Sequence, residues 1–168
     1  MKRDTMCRVL LSRTQVEHPS EVMLNINLEA VRRIGGNLEW RNGDVTPKAG
    51  QEAGVLRADD FLGGVWWREL FYESREANGT AAAAASAVID EYRRQVKGLT
   101  GRDSVSIEIR RRPSHEPLFL LTLFFSHPVA GYKFADAAAR ATRKWRSVFL
   151  AEEMDEIANS PETLFGHE

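Results

Sequence analysis

The chain has 168 residues, 43% of them hydrophobic and 28% charged, with a formal net charge of -1. This length and composition predict one globular domain over residues 1–168, and the balanced charge excludes a global field that would attract nucleic acid or membrane. Cys7 is the sole cysteine, which excludes an internal disulfide and a multi-cysteine metal site, and no segment reaches bilayer-spanning length, so we expect a soluble, cytoplasmic protein.

The first predicted elements are a strand and a helix within SEVMLNINLEAVRRIGG, after an irregular start over residues 1–19. Apolar residues alternate over 22–27 and then recur at helical spacing over 28–34, and two glycines end the helix. Asn25 and Asn27 fall near the carboxyl end of the strand, where open α/β sheets place ligands, so both are candidate catalytic residues. They suit equally well a turn in which their amides satisfy backbone groups.

Residues 37–59 are polar and contain several glycines and a proline, which predicts a long loop or insertion. A second helix is predicted to begin with Asp59 or Asp60 as its cap and to continue through FLGGVWWRELFYES. Trp66 and Trp67 are adjacent and cannot both point into one core from a helix, so we expect one of them to be an exposed contact for a partner.

The third helix has the clearest pattern. We expect Asn78 or Thr80 to cap it and Gly98 or Gly101 to end it. One apolar stripe follows helical spacing and predicts the buried face. Its members are Ala85, Val88, Ile89, Tyr92 and Val96.

Two strands of different character follow, over 104–112 and 118–125, joined by a short connection that contains PSHEP. Their proximity in sequence predicts an antiparallel hairpin. The first strand alternates apolar and polar residues, as at a sheet edge, whereas LFLLTLFF is apolar on both faces and is expected inside the sheet.

Basic residues concentrate between 93 and 112 and include the run Arg110, Arg111 and Arg112, with His115 close behind. Such a group could contact the phosphates of a nucleic acid. The alternative is a solvated edge strand that charge protects from pairing with other chains.

The last predicted strand ends in a Ser-His-Pro corner at His127, and an acidic tail over 152–168 closes the chain. An imidazole at such a corner could orient a ligand or move a proton near neutral pH, so His127 is a further candidate catalytic residue. Alternatively its ring bonds backbone groups where Pro128 begins a helix. That helix has an apolar side and a basic side. The apolar side carries Phe134, Ala138, Ala141, Trp145 and Val148, and the basic side carries Lys133, Arg140, Arg143 and Lys144.

The sequence lacks the local motifs of several enzyme classes. It contains neither a glycine-rich phosphate loop nor the dinucleotide fingerprint, and it has no HExxH, Cys-x-x-Cys or Gly-x-Ser-x-Gly. We therefore expect no bound metal and none of the nucleotide or hydrolase sites that these motifs form.

Several stretches resemble, in the same order, the carboxyl-terminal part of the three-Cys-motif partner proteins, a methyltransferase-like family. They are SEVMLNINLEAVRRIGG, the tryptophan-bearing helix, EYRRQVKGL and PLFLLTLFFSHPVAGYKFADAA, and the resemblance covers residues 20–146. It implies the carboxyl-terminal half of a class I methyltransferase-like (Rossmann-like) three-layer α/β sandwich with a terminal antiparallel hairpin. Residues 22–27, 104–112 and 118–125 would then be its fifth, sixth and seventh strands, with the seventh inserted antiparallel between the other two.

The resemblance lacks the amino-terminal half of that fold, with its glycine-containing cofactor turn and its acidic ribose-binding residue. It therefore implies a truncated or split protein that acts as an accessory or partner-binding subunit and is not catalytic alone. The expected partner is a three-cysteine-motif protein, the missing half or a second copy, and S-adenosylmethionine would bind only after completion. Two alternatives remain: a nucleic-acid-associated module of a mobile element that uses Arg93, Arg94 and the later arginine run, and a small enzyme with its site at His127.

Overall fold

The structure, a computed structural model, describes residues 3–5, 7 and 21–158, and of residues 153 and 155–158 it describes the backbone alone. The helices are α1 (Leu28–Gly35), α2 (Glu52–Leu62), α3 (Trp66–Asn78), α4 (Ala81–Thr100) and α5 (Pro128–Ala158). The strands are β1 (Val22–Asn27), β2 (Leu38–Arg41), β3 (Asp44–Pro47), β4 (Asp103–Ile109) and β5 (Phe119–Phe125). Their mixture confirms the α/β class.

Over the described residues the main sheet has three strands in the order β1-β5-β4, and β5 is antiparallel to both neighbours. The predicted hairpin of β4 and β5 and the interior position of β5 are therefore confirmed. The register places Asn27 and Ile109 on either side of Phe119, and Val22 opposite Phe124. Because strand side chains alternate, Phe124 and Thr122 point to one face of the sheet and Phe125 to the other.

Helices cover the two faces of this sheet unequally. Phe124 and Ile26 are buried in one apolar cluster with residues of α1 to α4, which form the layer on that side. On the other side α5 packs against β4 and β5. At Gly131 of α5 an added Cβ would lie 2.5 Å from the Phe125 ring, so this helix lies directly on the strand.

The apolar face of α5 differs in part from the prediction. Phe134, Ala138 and Trp145 lie on its packed side, whereas Ala141 and Val148 are exposed and the predicted basic side is solvent-facing. The predicted apolar positions repeat every seven residues, which corresponds to about 3.5 residues per turn, whereas an α-helix has about 3.6. The predicted stripe therefore rotates gradually away from the side of the helix that faces the sheet.

Helix α4 follows its prediction closely. Thr80 caps it by accepting a hydrogen bond from the Ala83 amide at 3.2 Å, and Gly101 ends it with a φ of 69°. Every residue of the predicted stripe is at most 1% exposed, so α4 forms the centre of the core.

Residues 37–59 do not form the long loop that was expected. They contain the hairpin of β2 and β3, followed by most of α2. Asn42 and Gly43 lie between the strands with φ of 53° and 85°, the left-handed pair that a two-residue hairpin turn requires. Leu38 and Val45 anchor the hairpin in the core.

The expected helix start at Asp59 or Asp60 is also wrong, because both residues lie inside α2. The chain breaks instead at Gly63, whose φ of 80° ends α2, and α3 begins at Trp66. Trp67 is fully buried, while Trp66 is half-buried and donates to the Leu62 carbonyl at 3.3 Å. Neither tryptophan is the exposed partner contact that the sequence suggested.

The chain ends are described only in part. Residues 3–5 and Cys7 are helical rather than irregular, and Cys7 is buried in the core. At the other end α5 continues to Ala158, so the first residues of the predicted acidic tail are helical. The rest of the predicted start and tail lies outside the described residues.

Candidate functional site

Asn25 and Asn27 lie where the sequence predicted, at the carboxyl end of β1, with both side chains exposed. The Asn27 side-chain oxygen accepts a hydrogen bond from the Ala30 amide at 2.9 Å and so caps α1. This bond favours the structural interpretation of Asn27, because it satisfies an amide that the helix leaves unpaired. Asn25 keeps its amide toward solvent.

Both asparagines border an apolar groove of about 270 Å³ beside the outer edge of β1, which we call the edge groove. Its walls come from β1, α1, α2 and the start of α3. The lining residues include Ala30, Val31, Ile34, Ala58 and Phe61. Within the described part of the chain, no strand pairs with this edge of β1. The groove therefore combines an unpaired strand edge with an apolar wall.

His127 is exposed at the corner between β5 and α5. Its Nδ1 accepts a hydrogen bond from the Val129 amide at 3.2 Å, at the start of α5. The preceding Ser126 amide donates to the Glu21 carboxylate, also at 3.2 Å. These contacts are those of a fixed turn, and they favour the structural interpretation of His127 over the catalytic one.

The candidate catalytic residues do not come together. Asn27 lies beside Phe119 at one end of β5, whereas His127 follows Phe125 at the other end. A strand advances ~3.4 Å per residue, so the two ends of β5 are roughly 20 Å apart. The asparagines and His127 therefore cannot contact one another or act on the same substrate atom.

The arginine run lies beyond β4, in the connection to β5, and not on the strand as predicted. Arg110 donates to the His115 carbonyl at 2.6 Å and pairs with Glu108, so it holds the connection in shape. Arg111 and Arg112 are exposed and border two different grooves.

The first of these, the basic groove, is an open space of about 570 Å³ between α1 and the connection. It is lined by Glu29, Arg32, Arg33, Arg111, His115, Glu116 and Leu118. The second, the distal groove, measures about 410 Å³ and lies between the connection and α5. It is lined by Arg112, Pro113, Ser114, Arg146, Phe149, Leu150 and Glu152.

Sequence reasoning found Arg111, Arg112 and His115 and missed Arg32, Arg33 and Arg146. The missed residues lie far away along the chain. Arg32, for example, donates to the Pro117 carbonyl, 85 positions later. The helical spacing of the apolar residues in α1 indicates only that its arginines face away from the core. It held no information about which residues they meet.

The other arginines of the basic segment have local partners. Arg93 donates to the Ser104 hydroxyl at 3.0 Å and to Asp90, which ties α4 to β4. Arg94 makes two hydrogen bonds to Glu91, each 2.7 Å long. Burial opposes ionisation of Glu91, but hydrogen bonds from Gln95 and Arg94 lower its pKa below the usual value. Neither arginine borders the two grooves.

Burial also perturbs two core groups. It raises the pKa of the Tyr92 hydroxyl well above its ordinary value, and it raises the pKa of the Cys7 thiol. Tyr92 stacks on Phe61 with ring centroids 5.5 Å apart, inside the core rather than at a groove. Both shifts therefore report packing and do not mark a reactive site.

Over residues 3–5, 7 and 21–158, no cluster of three or more His, Cys, Asp or Glu side chains could hold a metal ion. Among the same residues, no helix has the length and apolar character needed to cross a membrane. Compared with known protein families, curated proteins and solved structures, the chain has no significant match.

Proposed function

We propose that this chain is a methyltransferase-like accessory subunit of the three-Cys-motif partner type, which binds a partner and does not transfer methyl groups alone. The observation that carries the proposal is the unpaired edge of β1 beside the apolar edge groove. The partner supplies a strand to that edge, and the completed sheet binds S-adenosylmethionine.

The strand order supports this proposal. The sheet runs β1-β5-β4, and β5 is antiparallel to two neighbours that are parallel to each other. This is the order that the resemblance implies for the fifth, seventh and sixth strands of a class I methyltransferase-like sheet. The missing strands of such a sheet would continue beyond β1, at the edge where the groove lies.

The chemistry of the edge also supports strand addition. The six residues of β1 carry no charged side chain, and charge is one of the usual means of preventing edge-to-edge pairing. An added strand would bond the β1 backbone and place its apolar side chains against Val31, Ile34 and Phe61. The exposed amide of Asn25 would supply a polar contact beside this strand.

A charged residue in the edge groove tests the proposal. Ala30 borders the groove and is the third residue of α1, after the Asn27 cap. A glutamate is favourable at this position because it opposes the helix dipole and can complete a capping box, so Ala30→Glu should not unfold α1. The matched control is Ala139→Glu, on the exposed side of α5.

The chain is co-expressed with the amino-terminal half of a three-Cys-motif partner protein, and the complex is measured by size-exclusion chromatography with light scattering. We expect co-purification with wild type and with Ala139→Glu, and at least tenfold weaker association with Ala30→Glu. In calorimetric titration we expect S-adenosylmethionine to bind the complex and not the chain alone.

Three results would contradict the proposal. One is micromolar binding of S-adenosylmethionine by the chain alone, which would make it an enzyme in its own right. Another is undiminished association of Ala30→Glu. The third is a homodimer that Ala30→Glu dissociates and that excludes the added half, which would assign the edge groove to a second copy.

A further inference from the structure

The connection between β4 and β5, residues 110–118, projects between the basic groove and the distal groove. Arg111 borders the first groove and Arg112 the second, so two consecutive side chains lie on opposite sides of one turn. Consecutive Cα atoms are ~3.8 Å apart, so the two grooves meet at this turn.

Positive charge predominates on this surface. Among the residues that the structure describes, five arginines line the two grooves, together with His115, against three glutamates. The arginines are Arg32, Arg33, Arg111, Arg112 and Arg146, and the glutamates are Glu29, Glu116 and Glu152. The chain as a whole has a net charge of -1, so the excess is a local feature of this side of the molecule.

The walls of the basic groove are held in fixed relation. The Leu28 amide donates to the Leu118 carbonyl at 2.9 Å, and Arg32 donates to the Pro117 carbonyl at 3.2 Å. Within the connection, Arg110 bonds the His115 carbonyl. The backbone that carries these charges is therefore already ordered, which lowers the cost of ordering it when a ligand binds.

We propose that the two grooves form one binding surface for the phosphate backbone of a single-stranded nucleic acid, which passes across the connection. Arg33 and Arg111 contact phosphates on one side, and Arg112 and Arg146 contact them on the other. Arg110 takes no part, because its guanidinium holds the connection together.

The shape and lining of the surface favour this ligand over other anions. A single phosphate or a phosphorylated side chain would fill one groove and leave the other unused, whereas a chain of phosphates meets arginines on both sides. The distal groove also contains the ring of Phe149, and aromatic rings in basic grooves stack on unpaired bases.

The surface is separate from the edge groove and goes beyond the proposed function. Glu29, Arg32 and Arg33 face the basic groove, whereas Ala30 and Val31 on the other side of α1 face the edge groove. The Ala30→Glu change should therefore leave nucleic-acid binding intact, and the two proposals fail independently.

Fluorescence anisotropy with labelled 20-nucleotide single-stranded RNA and DNA and with the corresponding duplexes tests the proposal. At physiological salt we expect wild-type dissociation constants on the order of 10⁻⁴ to 10⁻⁶ M, the range of sequence-independent binding. Arg111→Ala/Arg112→Ala should weaken single-strand binding at least tenfold. It should also reduce the slope of log K against log salt by about 1.4, because each lost phosphate contact on a single strand removes about 0.7.

The matched control is Arg75→Ala/Arg94→Ala, which removes the same charge from exposed positions of α3 and α4. We expect this variant to stay within twofold of wild type. Equal weakening by both double variants would overturn the proposal, because the effect would then come from net charge alone. Absence of binding by the wild-type chain, or binding only to phosphatidylserine vesicles, would also overturn it.

Phe149→Leu separates single-strand from duplex recognition. We expect it to weaken single-strand binding and to leave any duplex binding unchanged. Tighter binding of the duplex together with an unaffected Phe149→Leu variant would contradict the choice of a single-stranded ligand. Circular dichroism of each variant shows whether the fold is retained.

Discussion

Gly35 at the end of α1 is where the structure predicts the sharpest effect of one added methyl group. A Cβ at this position would lie 2.3 to 2.5 Å from ring atoms of Phe71, which is only 1% exposed. Real Cβ atoms do not approach carbons this closely, so either α1 or the Phe71 ring must move. Overpacking of this kind costs about 1–3 kcal/mol, and alanine regains at most about 1 kcal/mol of helix propensity.

We therefore expect Gly35→Ala to lower the free energy of unfolding by about 1–2 kcal/mol, measured by urea denaturation with an unchanged m-value. Gly98→Ala is the matched control, because this glycine lies inside α4 and an added Cβ meets nothing within 4 Å. That variant should gain about 0.5–1 kcal/mol from reduced backbone entropy. Phe71→Leu should recover part of the loss in Gly35→Ala, because it makes room for the methyl group. A Gly35→Ala protein as stable as Gly98→Ala would refute the reasoning.

Two further predictions concern buried polar groups. Asp59→Ala leaves the Arg68 guanidinium, only 14% exposed, without its carboxylate, and should lower the free energy of unfolding by about 3 kcal/mol in urea denaturation. The control Asp90→Ala, at a 71% exposed carboxylate, should lower it by less than about 1 kcal/mol. Equal losses in the two variants would contradict this prediction. Because burial raises the pKa of Tyr92, the folded state keeps this hydroxyl neutral at a pH where the unfolded state ionises it. The free energy of unfolding is therefore at its full value below about pH 10 and falls as the pH rises further, by up to about 1.4 kcal/mol per pH unit. Tyr92→Phe should flatten this alkaline decline, whereas the control Tyr132→Phe, at a 75% exposed ring, should not. Identical pH profiles of the two variants would refute the assignment of the decline to Tyr92.

Residues 37–59 contain a local hairpin signal that the polar composition of the segment obscures. Asn42-Gly43 lies between short segments with one apolar residue each in the core, and an Asn-Gly pair is a strong indication of a two-residue hairpin turn. The polar character of the segment outweighed that local signal and led to the prediction of a loop. The sequence around Asp59 is ambiguous for a related reason. A residue that suits a helix cap suits a buried ion pair equally well, and only the position of Arg68 in the fold decides between the two roles.

Sequence alone determined the elements whose burial is periodic: β1 with α1, the buried face of α4, and the hairpin of β4 and β5. Local periodicity is sufficient there because each buried side chain recurs at the spacing of its own helix or strand. The three-dimensional arrangement decided what the candidate sites are. It separated His127 from Asn27 by the length of β5, made Arg110 a structural residue, and brought Arg33 beside Arg111. Such juxtapositions depend on how elements pack across long stretches of chain, and the periodicity of one segment contains no information about the residues of another.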